Sequence, residues 1–143
     1  MNPLKQKGFW LSLGGIVFVD QLSKLLAGFG WFGQNLITNP GFSFGWRFGS
    51  TQILTVVLSL VWLIMGWILL THYRDKYVYI GIFLGGSLSN LLDRIIWGGV
   101  RDWISWPIFQ VWNNLADWAI ALAIGGMILE YWYRKWQTRQ KWS

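Results

Sequence analysis

The chain has 143 residues, more than half of them apolar and only 13% charged, with thirteen tryptophans and a net charge of +6. That balance belongs to a single-domain membrane protein, not to a soluble core wrapped in charge. It contains no cysteine, which excludes disulfides, thiolate metal sites and a cysteine nucleophile.

Four stretches within the single domain 1–143 are apolar enough to suggest spans: 8–28, 51–70, 77–97 and 112–133. Lys5 and Lys7 precede the first, as in a signal peptide. No small-residue cleavage site follows, and Asp20 with Lys24 interrupts its place, so a retained helix is expected. Segment 29–50 is rich in glycine and aromatics, with a turn signal at Asn39-Pro40-Gly41. It is too broken to span and too aromatic to float in water; a strand pair or interfacial loop at headgroup depth fits. Stretch 51–70 carries no charge, and the basic loop 71–76 after it holds the lone histidine, His72, read as solvated because no His or Cys partner is near. The third stretch, 77–97, carries Asn90, Asp93 and Arg94 near its end. Segment 98–111 is a second outer connection, and 112–133 closes the fold with Asn114 and Asp117 in its first turns. The expected class is an all-α membrane protein of four transmembrane helices with a small extracytoplasmic β-rich or interfacial loop region.

The cations report topology. Lys5, Lys7, Arg74, Lys76, Arg134, Lys135, Arg139 and Lys141 flank one side, while Arg47 and Arg101 are the loop cations of the other. The positive-inside rule puts both termini in the cytoplasm and leaves little weight on nucleic acid. Trp31, Trp46, Trp97, Trp103, Trp106 and Trp112 then mark the outer boundary, and Trp132, Trp136 and Trp142 the inner one.

Within that frame four aspartates stand where lipid should exclude them. At about 1.5 Å per residue, Asp93 lies roughly 24 Å and Asp20 about 18 Å along spans that cross a core of about 30 Å from inside. Asp102 is in the outer loop and Asp117 heads the helix entering from outside, so all four share the outer half. Gly86, Asn90, Asp93 and Arg94 fall on one helix face, as do Asp20 with Lys24 and Asn114 with Asp117. Three polar stripes at one depth imply a pocket opening outward, with Gly85 and Gly86 admitting a neighbouring backbone. A second reading stands beside it: Asp20 with Lys24, and Asp93 with Arg94, neutralise each other for insertion, and Asn90 and Asn114 are interhelical glue. Asp102 and Asp117 have no such balance. Close together, two carboxylates share a proton, and one acts as acid while the other activates water. Carboxylates gripping Mg²⁺ are the weaker alternative, since the acids lack three- or four-residue spacing on one helix.

The motifs resemble those of lipoprotein signal peptidase (signal peptidase II), a bacterial membrane aspartic endopeptidase family. Asp20-Gln21-Leu22-Ser23-Lys24 resembles its D-Q-x-[ST]-K motif, and Asn39-Pro40-Gly41-Phe42-Ser43-Phe44-Gly45 its N-x-G-x-[AS]-F-[GS] loop. The run from Gly85 to Arg94 resembles G-G-A-x-G-N-x-x-D-R; Gly99-Val100-Arg101-Asp102-Trp103-Ile104 resembles G-x-V-x-D-[FM]-[IL]; Asn114-Leu115-Ala116-Asp117 matches N-x-A-D. The resemblance implies that Asp102 and Asp117 are the catalytic pair. It implies that Asn39, Gly41, Asn90, Asp93, Arg94 and Asn114 line or orient the pocket, with Asp20 and Lys24 in support. The implied substrate is a diacylglyceryl-modified prolipoprotein, cut before its lipidated cysteine, in the bacterial inner membrane with the site near the outer face. No cofactor and no metal are expected. The expected partners are that substrate and membrane lipid, without nucleic acid, and the pocket needs only a monomer. Departures fall at Ser89 (usually Gly), Asn113 (commonly Phe), Trp118 (usually Ser or Cys) and the bulky Phe42. Trp118 either narrows the pocket or faces lipid. Against this enzyme stand a transport or proton-relay protein using buried carboxylates, and a binding subunit with a degenerate pocket.

Overall fold

The computed structural model describes residues 3–33, 35–41, 50–73, 75–106 and 111–140. Phe42, Ser43, Phe44, Gly45, Trp46, Arg47, Arg74, Lys141 and Trp142, on which expectations fell, lie outside the described residues. In chain order the elements are α1 (Pro3–Gly28), β1 (Ile37–Asn39), α2 (Thr51–His72), α3 (Tyr77–Trp97), β2 (Val100–Asp102), β3 (Ile104–Trp106), β4 (Val111–Asn113) and α4 (Leu115–Gln140).

Three of these helices, α1, α2 and α4, are long and apolar enough to cross a membrane. They expose large apolar side chains such as Phe18, Leu60, Leu122 and Leu129, a surface suited to lipid. The expectation of four such helices is corrected to this extent: α3 falls short of the same test, because Ser87, Ser89, Asn90, Asp93 and Arg94 dilute its apolar run. Its polar groups are accommodated by position. α3 is the central helix and packs on α1, α2 and α4 in turn.

Small residues set the closest of those contacts. Any Cβ on Gly81 or Gly85 would lie 2.6 Å from the carbonyl oxygen of Phe9 or Leu13 on α1, so neither position tolerates a side chain. Ser89 continues the stripe one turn on and is fully buried. A small residue every fourth position lets two helices meet backbone to backbone where no hydrophobic force drives them together. Gly86 faces the other way, toward Ala116 and Ile120 of α4. At the opposite end of the bundle Phe9, Leu69, Tyr77, Ile80 and Leu84 form the apolar core. There Lys76 pairs with Glu130, tying the α2–α3 turn to α4.

Helix boundaries shift from expectation for identifiable reasons. α1 starts at Pro3, whose missing N–H costs nothing at a first helical position. α2 is capped by Ser50, whose hydroxyl accepts from the Ile53 N–H, and it extends through His72, making that exposed histidine a helix residue and not a loop one. α3 ends at Gly98, whose φ of 72° is the left-handed conformation that closes helices. α4 begins at Leu115 rather than 112, because Val111–Asn113 is committed to a strand.

Segment 29–50, expected as a strand pair or interfacial loop, contributes one strand among its described residues, which pairs with the 98–111 connection, and two antiparallel ribbons result. β1 pairs with β2 in the register Ile37–Asp102, Thr38–Arg101, Asn39–Val100. β3 pairs with β4 as Ile104–Asn113, Ser105–Trp112, Trp106–Val111. β2 is entirely buried, and strand alternation turns Arg101 and Asp102 to opposite faces. That alternation decides which acid each residue meets.

Candidate active site

The deepest layer is ionic. Lys24 Nζ lies 2.6 Å from Asp20 Oδ2 and 2.9 Å from Asp93 Oδ2, with all three side chains fully buried. Arg101 Nη2 reaches Asp93 Oδ1 at 2.8 Å, and the Arg101 N–H donates to Asp93 Oδ2 at 2.9 Å. Gln21 Nε2 donates to Asp93 Oδ1 and Ser89 Oγ, while its Oε1 accepts from Arg101 Nη2. Two carboxylates thus meet two cations, the balance that buried charge demands.

One part of the neutralising reading holds and one is corrected. Asp20 pairs with Lys24 as expected, but Asp93 pairs with Lys24 and Arg101, not Arg94. Arg94, adjacent on the helix, points elsewhere: Nη2 donates to the Gly41 carbonyl at 3.1 Å and Nη1 to the Asn90 carbonyl at 3.2 Å. Ser89, the departure from Gly, fits by donating to Asp20 Oδ2 at 2.7 Å.

Asp20 links this layer to the next. Its Oδ1 accepts the N–H of Ala116 at 2.9 Å, one of the donors that the start of α4 leaves without an intrahelical partner. The carboxylate also sits at the positive end of that helix.

Asn114 caps α4 and organises both remaining acids. Its side-chain oxygen accepts the Asp117 N–H at 3.0 Å, and Asp117 Oδ2 accepts the Asn114 N–H at 3.3 Å, a reciprocal capping box. Asn114 Nδ2 donates to Asp102 Oδ1 at 2.6 Å. One fully buried amide therefore holds the ends of β2 and α4 together. Asp117 Oδ1 in turn accepts from Asn90 Nδ2 at 2.8 Å, and Asn90 Oδ1 accepts from Lys24 at 3.0 Å. The four aspartates expected to converge do so, in one network running Asp20–Lys24–Asn90–Asp117 and Asp117–Asn114–Asp102, with Asp93 joined at Lys24.

Asp102 and Asp117 differ from the inner pair in having no ion pair among the described residues. Burial pushes the Asp102 carboxyl up to about 7; the Asn114 amide opposes the rise and the Asp117 charge adds to it. An acid poised near neutrality beside a second carboxyl can carry a proton that its neighbour lacks.

Both acids line a cavity of about 680 Å³ between α2, α3 and α4. Asn39, Asn90, Arg94 and Asn113 complete its polar end, and Leu58, Trp62, Met65, Phe83 and Ile124 are among its apolar walls. Asp93 and Asn114, expected to line the pocket or orient the acids, do not form the cavity walls, and neither does Gly41, expected in a substrate-binding or supporting role. Asp93 is turned away toward its cations on α1 and β2; Asn114 is spent on the two acids; Gly41 meets Arg94 through its carbonyl. Asp20 and Lys24 lie behind the cavity, bonded to Ala116 and to Asn90. Trp118, 40% exposed, stacks on Trp106 outside the cavity, so it does not narrow the pocket.

Sequence reasoning passed over Gln21, Arg101 and Trp62. Gln21 and Arg101 were within reach: strand alternation already sets Arg101 opposite Asp102, leaving Asp93 as the acid it could serve. Trp62, whose Nε1 donates to the Leu84 carbonyl, carried no local signal in a charge-free helix.

The chain matches the family model described as signal peptidase (SPase) II over residues 13–133. Among curated relatives, the lipoprotein signal peptidase of Aquifex aeolicus is 31% identical, the match covering 94% of this chain and 93% of that protein. That of Chlorobium phaeobacteroides is 29% identical over 92% of this chain and 98% of its own length. A solved bacterial membrane enzyme superposes with a TM-score of 0.72 at 18% identity, covering 87% of each chain, a likeness of fold. With the matched region reaching from α1 to within α4, the chain belongs to the signal peptidase II family.

Proposed function

We propose that this protein is an aspartic endopeptidase of the bacterial cytoplasmic membrane that removes signal peptides from diacylglyceryl-modified prolipoproteins, cutting before the lipidated cysteine. The family and its relatives, named lipoprotein signal peptidases, support the substrate class. The observation that carries the chemistry is the pair Asp102 and Asp117, both bonded to Asn114 at one cavity and without a balancing cation among the described residues.

The roles follow from the hydrogen bonds. Both Asp117 oxygens accept donors, Asn90 Nδ2 and the Asn114 N–H, which fix its carboxyl group at the cavity, and Asp117 is assigned as the base. Asp102, held protonated to about neutrality by burial, is the acid. Asp117 takes a proton from water as its oxygen adds to the scissile carbonyl. The tetrahedral intermediate collapses with cleavage of the C–N bond, and the cysteine nitrogen is protonated from the pair. Arg94, Asn39 and Asn113 are placed to hold the substrate backbone, and the apolar walls take its hydrocarbon.

The supporting membrane arrangement is four spans, α3 crossing under cover of its three neighbours, with both termini cytoplasmic and the acids near the outer face. One chain suffices for the site, with lipid as its solvent. A transport reading lacks a route, since Glu130 at the other end is engaged by Lys76 and Arg134. The test is reconstitution of the purified chain in lipid with diacylglyceryl-modified and unmodified prolipoprotein. Release of the signal peptide from the modified form alone is expected; no cleavage of either rejects the proposal.

A further inference from the structure

Trp118 sits on α4 immediately after Asp117, at a half-exposed position where lipid contact asks only for an apolar side chain. It instead stacks on Trp106, with ring centroids 5.5 Å apart and planes 21° from parallel. Trp106 ends β3, and the β3–β4 ladder pairs it with Val111. Val111, Trp112 and Asn113 of β4 are a wall of the cavity. Between the end of β4 and the start of α4 stands a single residue, Asn114.

The mechanical consequence is specific. On its α4 side the β3–β4 ribbon is hinged at Asn114, the residue that bonds Asp102 and caps the helix bearing Asp117. On its other side it follows Asp102 through Trp103, whose backbone N–H is bonded to the Asn113 carbonyl at 3.0 Å and whose ring, donating to Ser23 Oγ and stacked on Phe32, anchors this same root of the ribbon but not its far end. Any rotation of the ribbon about the hinge moves the cavity wall and pulls on the Asn114 amide together. A second attachment, away from the hinge, removes that rotation. We propose that the Trp106–Trp118 stack is this second attachment, and that the two tryptophans are positioning residues fixing the β4 wall and Asn114 relative to Asp117. Neither ring touches substrate.

The kinetic consequence rests on the proposed roles of Asp102 and Asp117, whereas the mechanical one does not, so two measurements separate them. Hydrogen exchange on the purified protein in lipid reads the ribbon directly. Trp118→Ser should speed exchange at the amides of Trp103 and 111–113, and Trp118→Phe, which keeps a ring, should not. In cleavage assays Trp118→Ser should lower kcat/KM by about ten-fold or more, since small displacements of a reacting geometry are amplified. Trp106→Ala should cause a similar loss, and the double variant no further one, because both remove the same contact. The high-pH limb should also move, because the Asn114–Asp102 bond is slackened; the charged groups around Asp102 are Asp117 from α4, Lys24 from α1 and Arg94 from α3. Leu122→Ala, a lipid-facing change one turn further along α4, should leave all of these unmoved. If Trp118→Ser does not fold, Trp118→Leu, apolar but unable to stack, replaces it in both assays. Unchanged exchange at the ribbon overturns the inference, as do additive losses from the two tryptophans. A wild-type chain that cleaves nothing rejects the peptidase reading instead and leaves the exchange result to judge the stack.

Discussion

Asn114→Ser separates the two tasks of the amide that joins the acids. Serine keeps an oxygen able to cap α4, so the helix start survives. It removes the Nδ2 donor that lies 2.6 Å from Asp102 Oδ1. That donor favours the ionised form, so its loss raises Asp102 further above its present value of about 7. A hydrogen bond to a charged group contributes about 1.5–3 kcal/mol, which corresponds to an upper limit of roughly one to two pH units. Because the reaction needs a proton on the pair, activity is present below the raised pKa and lost as pH rises through it. The high-pH limb of kcat/KM should therefore move to the alkaline side by about one unit, with a lower plateau. Asn114→Ala should show the same limb and lose about 1 kcal/mol more stability, since the cap goes too. The assay is a pH series of cleavage rates for wild type and both variants in one lipid. A limb that stays in place, or moves to acid, refutes the assignment of the proton to Asp102.

Lys24→Met should destabilise the fold by about 3–5 kcal/mol, because it strands Asp20 and Asp93 without their shared cation; thermal unfolding in lipid measures this, and a neutral effect contradicts the buried-charge account. Gly85→Ala should disrupt α1–α3 packing, since the new methyl meets the Leu13 carbonyl at 2.6 Å, while Gly14→Ala, with nothing within 4 Å, should be neutral or slightly stabilising. Equal stability of the two variants argues against the close contact. In a chain without cysteine, Ser50→Cys is a unique label. An impermeant thiol reagent should modify it in intact cells, and modification only after lysis reverses the proposed orientation.

Much of the site was legible because polar residues in apolar stretches have few roles. Depth arithmetic for Asp20 and Asp93, and chain order for Asp102 and Asp117, put the four acids in one half of the chain's spans, and one network joins them. The partner choice within the network was less legible. Asp93 and Arg94, expected on one helix face, are about 100° apart around α3 and diverge, one to Lys24 and Arg101, the other to Gly41 and Asn90. The start of α4 differs from the expected 112 because Trp112 reads as an interfacial residue heading the apolar run, while Val111–Asn113 forms a strand. Only the capping role of Asn114, a residue read as glue or pocket lining, marks the boundary. Of the two alternatives for Trp118, narrowing the pocket is not what the ring does, and its partner Trp106 lies across a ribbon whose register no local pattern predicts.

The most direct measurement is single-turnover cleavage of a diacylglyceryl-modified prolipoprotein by wild type, Asp102→Asn and Asp117→Asn, each shown to be folded in lipid. The account predicts that the wild-type chain releases the signal peptide and that each asparagine variant binds substrate without cutting it. Cleavage at a wild-type rate by either variant would contradict it.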